Sequence, residues 1–158
     1  MQISHRALAD NPPPALSPLH AQLARIERQT DARFLNRILN DPSVYPFVRG
    51  NREGPMAAGP AVANPANVLL TGEQGALLFV RHQPGFYEVH SQCLPDGRGA
   101  WMLGFVRACL HWMFTRTDAV DIATRCPHGN LPALAIAKRI HGRFLFTRQA
   151  GWIMDDQP

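Results

Sequence analysis

Two stretches of the sequence carry groups that could take part in catalysis or ligand binding. In the first, Phe86–Cys93, side chains alternate in character, which predicts a β-strand with Glu88 and His90 on one face. A carboxylate and an imidazole so placed can serve as a general base and the group that assists it. The same two residues also fit a hydrogen-bonded pair on a half-covered sheet. Glu88 and His90 are therefore candidate catalytic residues, with that structural role as the alternative.

The second stretch is residues 94–102, LPDGRGAWM, where a turn with two glycines and an arginine leads into an apolar run. This arrangement is typical of a loop that opens a helix and presents unpaired backbone N–H groups to a phosphate. Trp101 lies where close approach of backbone to phosphate favours glycine. The loop is therefore either a phosphate cradle, with the indole turned away, or a helix cap that only maintains the fold. The candidate binding residues are Arg98, Gly99, Ala100, Trp101, Met102 and Leu103.

The pattern of apolar residues around these stretches predicts the elements that would hold them. Apolar residues recur at helical spacing in residues 20–39, with a break near Thr30. Residues 43–66 are rich in proline and glycine and are predicted to form a long surface loop. The elements predicted after it are strands over 67–70, 76–81 and 86–93, a helix over 99–114, a strand over 119–124, a helix over 130–140, and a closing hairpin of residues 144–147 and 152–154.

This order predicts a single α/β (α+β) domain with a mixed central sheet and helices on both faces. Strand, helix and strand between residues 86 and 124 form a crossover unit, so the two strands should be parallel. An N-terminal arm over residues 1–17, which contains NPPPALSP, should precede a domain over residues 18–158.

Composition limits the classes of protein that the chain could be. Of its 158 residues, 46% are hydrophobic and 18% are charged, which is typical of a globular domain. The sequence has neither a long apolar run nor a signal-peptide pattern, so we expect no membrane association. Three scattered cysteines predict a reducing cytoplasm and, with unclustered histidines, fit no metal site. The net charge of +4 comes from scattered arginines, which makes a nucleic-acid partner a weak hypothesis.

Residues 67–154 contain a strand, a P-x-x-R-G turn, an amphipathic helix, a strand, and N-x-x-A opening a helix that ends near G-x-F. In this order of elements and motifs, the second half of the chain resembles the GNAT superfamily of N-acyltransferases. Within it, VHSQCLPDGRG and NLPALAIAKRIHGRF are similar to GNAT-like proteins encoded by tailed phages.

The resemblance implies a cofactor and a mechanism, and the sequence departs from the family pattern at two positions. Acetyl-CoA or another acyl-coenzyme A would lie between splayed strands, its pyrophosphate held by the loop amides, with Asn130 also matching the family pattern. A base such as the Glu88 and His90 pair would then deprotonate the amine that attacks the thioester. The departures are Trp101, at a position where the family has glycine, and Ala137, where family members commonly carry a tyrosine that protonates the leaving thiolate.

Two functions follow from this resemblance. The first is a coenzyme A-dependent N-acyltransferase that transfers an acetyl or acyl group to an unknown amine in the cytoplasm. The alternative is a catalytically degenerate GNAT-fold protein that serves as a structural or assembly component of a phage particle. Its partners would then be other phage structural proteins, and its location the host cytoplasm or the virion. The sequence is compatible with an oligomer in either case.

Overall fold

The computed structural model describes residues 2–4, 25–127 and 129–145, and in them the chain forms one mixed sheet. Its strands are β1 (Gln2–Ser4), β2 (Glu27–Gln29), β3 (Val68–Thr71), β4 (Gly75–Gln83), β5 (Phe86–Cys93) and β6 (Asp121–Ala123). Their order across the sheet is β1-β6-β5-β4-β3-β2. Neighbouring strands are antiparallel except β5 and β6, which are parallel, as predicted for the crossover.

Helices cover both faces of the sheet. They are α1 (Arg33–Leu39), α2 (Tyr45–Val48), α3 (Gly59–Ala63), α4 (Ala100–Arg116) and α5 (Leu131–Arg139), and a short 3-10 helix, Pro95–Gly97, precedes α4. In β3 and β4, alternate side chains such as Leu77 and Phe79 pack under α4, whereas Ala76 and Leu78 pack under α1. Both faces are therefore buried, which explains why β4 is apolar over its first half rather than alternating.

The N-terminal helix prediction was partly wrong. Glu27–Gln29 forms the edge strand β2, whose Arg28 lies opposite Leu70 of β3. Pairing with β3 satisfies the backbone of this segment, and the helical spacing of its apolar residues does not decide its structure. The break near Thr30 is confirmed, because α1 begins at Arg33 and the Arg33 N–H donates to Asp31 Oδ1 at 2.8 Å.

The surface loop predicted over residues 43–66 contains α2 and α3 and is held against α1. Asn40 clamps Met56 through two bonds, its Nδ2 donating to the carbonyl at 2.8 Å and its Oδ1 accepting from the N–H at 2.7 Å. Asn36 Oδ1 accepts from the N–H of Ala58 at 2.7 Å. Asn36 of α1 and Asn40, which caps the C-terminus of α1, therefore provide hydrogen-bond partners for the backbone of a segment that has no strand beside it.

The two ends of the chain lie largely outside the described residues. Of the predicted arm, Gln2–Ser4 forms β1, which pairs antiparallel with β6. Of the closing hairpin predicted for residues 144–147 and 152–154, only residues 144 and 145 are described, and they belong to no strand. No helix in the described part of the chain is long and apolar enough to cross a bilayer.

Candidate active site

The parallel strands β5 and β6 separate part of the way along their length. Their register runs from Phe86 opposite Asp121 to Glu88 opposite Ala123, where β6 ends. β5 continues to Cys93, so within the described residues its second half has no strand on that side. A gap therefore opens between β5 and the chain that follows β6.

A cavity of about 610 Å³ lies along this gap. On the α4–α5 face its lining includes Val106 of α4 and Ala137 of α5, and on the α1–α3 face it includes Leu39 and Met56. Two neighbouring residues of β5 also line it, Val89 on the α4 side and His90 on the other side. The cavity thus connects both sides of the sheet, and its volume is within the range of small-molecule sites.

Asp118 holds together the end of the gap at which β5 and β6 are still paired. Tyr87 Oη donates to Asp118 Oδ1 at 2.6 Å, the Gly85 N–H donates to Oδ2 at 3.2 Å, and Arg81 forms an ion pair with the same carboxylate. The hydrogen bond from Tyr87 is the main cause that holds the pKa of Asp118 below its ordinary value of 3.8. Burial, followed by this hydrogen bond, raises the pKa of Tyr87 above 10.0. The cluster ties the β4–β5 turn to the segment that enters β6.

The structure brings Glu88 and His90 together on the α1–α3 side of β5. Glu88 Oε1 lies 3.8 Å from His90 Nε2, while Oε2 lies 3.1 Å from both His82 Nε2 and Arg125 Nη2. The Glu88 side chain is 10% exposed, whereas that of His90 is 49% exposed and lines the cavity. His90 is therefore the accessible member of the pair, and Glu88 lies behind it with several partners.

Sequence reasoning missed His82 and Arg125. His82 could have been found from strand alternation, because it lies two residues beyond Val80, which is opposite Glu88 in the antiparallel pair. Arg125 could have been found, because it lies two residues beyond Ala123, which is opposite Glu88 in the parallel pair.

The loop after β5 presents unpaired backbone donors. Gly99 has φ +86° and ψ −127°, a conformation that glycine alone adopts readily, and it precedes the first residue of α4. Among the described residues, no acceptor bonds to the N–H groups of Gly99, Ala100, Trp101 or Met102. Leu103 does not belong to this set, because its N–H donates to the Gly99 carbonyl at 3.1 Å. Residues 98–103 lie outside the lining of the described cavity.

The indole of Trp101 is turned into the core. It stacks on Phe105 with ring centroids 4.9 Å apart. Three glycines leave room for it, since a Cβ atom at Gly72, Gly75 or Gly97 would lie 3.0 to 3.1 Å from an indole carbon. The side chain therefore points away from the free amides, as the cradle interpretation requires.

Arg98 and Asn130 have structural contacts of their own. Arg98 Nη2 donates to the Ser43 carbonyl at 3.0 Å, which joins the loop to the α1–α2 connection. Asn130 lines the cavity, and its Oδ1 caps α5 by accepting from the N–H of Ala133 at 3.2 Å. These contacts neither support nor exclude a role in coenzyme A binding, so Arg98 and Asn130 remain predicted binding residues.

Two further residues of the cavity lining, Ala137 and Cys126, lie where a group that transfers protons could act. Ala137 is buried and lines the cavity, so the position where the resemblance implies a tyrosine has no hydroxyl. Cys126 also lines the cavity, and burial raises the pKa of its thiol. Within the described residues, no group of three or more His, Cys, Asp or Glu side chains could hold a metal ion.

Among solved structures, the chain is similar to the crystal structure of a possible acetyltransferase from Clostridium difficile 630. The two share a TM-score of 0.54 and 7% sequence identity, over 82% of this chain and 97% of that chain. This similarity shows a GNAT-like α/β fold, as predicted. No protein-family model and no curated protein sequence matches the chain. The similarity to phage proteins stays a prediction.

Proposed function

We propose that the chain binds an acyl-coenzyme A at the gap between β5 and β6 and transfers the acyl group to an amine. The observation that carries this proposal is the separation of the two parallel strands beyond Glu88 and Ala123. The separation creates a cavity through the sheet at the place where a GNAT-like fold has its cofactor. The similar possible acetyltransferase supports the same reaction class.

The cofactor would be held mainly by backbone groups. The free N–H groups from Gly99 to Met102 lie at a helix N-terminus, where unpaired donors and the helix dipole favour a pyrophosphate. The inward orientation of Trp101 leaves these donors accessible. The cofactor supplies a thioester, whose carbonyl carbon is the electrophile and whose sulfur is the leaving group.

The amine would meet His90 on the α1–α3 side of the gap. An amine arrives as an ammonium ion and must lose a proton before its nitrogen can attack. His90 lines the cavity and can accept that proton, and Glu88, with Oε1 3.8 Å from Nε2, orients the ring. Since position 137 has no proton donor, water in the open cavity protonates the departing thiolate.

Calorimetry with acetyl-coenzyme A tests this proposal on the unaltered chain, Gly99→Val and Gly54→Val. Gly99 and Gly54 both have positive φ and open space around them, so the two substitutions introduce similar strain at different places. We expect binding to the unaltered chain and to Gly54→Val, and loss of binding in Gly99→Val. Absence of heat at about millimolar ligand, which corresponds to about 4 kcal/mol of affinity, would overturn the proposal. Equal binding by both variants would overturn the role of the loop amides.

Ala137 is the observation that favours the alternative, a GNAT-fold protein without catalysis. The same calorimetry separates the two functions at the level of binding. A folded chain that does not bind acetyl-coenzyme A fits the non-catalytic alternative, whereas a chain that binds it and releases free thiol with an amine excludes it.

A further inference from the structure

On the α1–α3 face, the cavity has a wall that is mainly apolar. Phe47 and Val48 of α2, with Met56 from the segment clamped by Asn40, form part of this wall. Phe47 is 72% exposed, although its side chain is large and aromatic. An apolar surface that reaches the rim of a cavity suits the apolar part of a small ligand.

The charged groups at this part of the cavity are positive. Arg52 and Arg125 line it, and among the described residues that line the cavity none is acidic. The guanidinium of Arg52 has no ion pair or hydrogen bond with any described side chain. Glu88 lies behind the lining and is already bonded to Arg125. The local field therefore repels a polycation and attracts an anionic group.

Arg125 and His90 contact the same carboxylate from different sides. Arg125 Nη2 lies 3.1 Å from Glu88 Oε2, and His90 Nε2 lies 3.8 Å from Oε1. The Arg125 side chain is 81% exposed, so its other nitrogens remain open to a ligand. An arginine fork binds a carboxylate in two places. A carboxylate held there would place an amine on the neighbouring carbon close to His90.

We propose, on the basis of the acyltransferase function above, that the acceptor is a small amine with a carboxylate and an apolar side chain, of the kind found in an apolar α-amino acid. Arg125 and Arg52 bind the carboxylate, and Phe47 and Met56 contact the apolar side chain. His90 removes one proton from the ammonium group and passes it to water. The nitrogen then bonds to the thioester carbon, the C–S bond breaks with its electron pair on sulfur, and the second amine proton ends on the thiol.

A comparison of three amines tests the proposal by measuring thiol release from acetyl-coenzyme A. Phenylalanine carries both features, phenethylamine lacks only the carboxylate, and spermidine is a polycation. Loss of a hydrogen-bonded charge contact costs at least about tenfold in kcat/KM, so phenylalanine should exceed phenethylamine by that factor and spermidine should be slowest. Arg52→Gln and Arg125→Gln should each lower the value for phenylalanine by a larger factor than the value for phenethylamine. Arg125→Gln should lower both values to some extent, because Arg125 also pairs with Glu88 behind His90. Arg49→Gln, an exposed arginine outside the cavity lining, is the matched control.

Calorimetry separates failure of this inference from failure of the proposed function. If the chain does not bind acetyl-coenzyme A, the acyltransferase function fails and this inference fails with it. If it binds acetyl-coenzyme A but acetylates phenethylamine or spermidine as fast as phenylalanine, or acetylates none of them, only the acceptor class is overturned. Binding of phenylalanine alone, weakened in Arg125→Gln and not in Arg49→Gln, supports the acceptor class independently of turnover. Unfolding midpoints of the variants show whether each one is folded.

Discussion

The two faces of the gap are built from different parts of the polypeptide. On the α4–α5 face, the candidate ligands are backbone N–H groups at Gly99 to Met102, positioned by a glycine with positive φ and by the start of α4. On the α1–α3 face, the candidate groups are side chains, with Glu88 bonded to partners from β4 and from the segment after β6. The first face depends on helix geometry, and the second on contacts between residues distant in sequence.

This difference predicts that the two faces differ in tolerance to substitution. Backbone donors survive a change of side chain as long as the helix start keeps its geometry. A cluster of charged side chains loses a partner with each change, and a buried carboxylate such as Glu88 then loses stabilisation. A bulky side chain at the start of α4 is therefore tolerated on the α4–α5 face, where Trp101 packs on Phe105 and the amides stay free.

The largest effect should come from removing the indole that supports the α4–α5 face. Trp101→Ala leaves a cavity among Phe105 and the three glycines around it, so the free energy of unfolding should fall by about 3 kcal/mol. Trp101→Phe should retain part of the stacking and lose less. Urea denaturation measures both.

Because the indole points away from the amides, the folded fraction of Trp101→Gly should bind acetyl-coenzyme A no more tightly than the unaltered chain. A gain in affinity would mean that the indole obstructs the loop.

A smaller loss should follow from opening the clamp on the α1–α3 face. Asn40→Ala removes both hydrogen bonds to Met56, which contribute about 2 kcal/mol together. The control is Asn51→Ala, an exposed asparagine in the same segment. The amine KM should rise in Asn40→Ala while the affinity for acetyl-coenzyme A stays constant. If Asn40→Ala weakened the binding of the amine and of acetyl-coenzyme A alike, the two faces would be coupled and not independent.

The sequence predicted the α4–α5 face well because its signals are local. The strand Phe86–Cys93 has the predicted bounds, Gly99 precedes α4, and Asn130 caps α5. The α1–α3 face was predicted less well because its contacts are not local. The strand Glu27–Gln29 depends on a partner more than thirty residues away in sequence, and Arg125 reaches Glu88 from the segment after β6. The prediction that Glu88 and His90 lie on the same face of β5 is confirmed, because it depends only on the alternation of side chains along a strand.

The smallest effect concerns Asp118, at the paired end of the gap that both faces share. Hydrogen bonds from Tyr87 and Arg81 favour its carboxylate form, so its pKa in the folded chain lies below 3.8. Stability from this group is present above pH 3.8 and is lost as the pH falls through the folded pKa, because only the unfolded chain binds a proton in that interval.

Asp31 and Asp41 also have lowered pKa values, so the unfolding free energy of the whole chain still depends on pH in acid when one of these carboxylates is removed. Asp118→Asn should reduce the slope of unfolding free energy against pH below 3.8, and Tyr87→Phe should reduce it partly, since it removes the main cause of the shift and leaves the carboxylate. Thermal unfolding measured across that interval checks this, and an unchanged slope in both variants would show that the cluster does not hold the end of the gap.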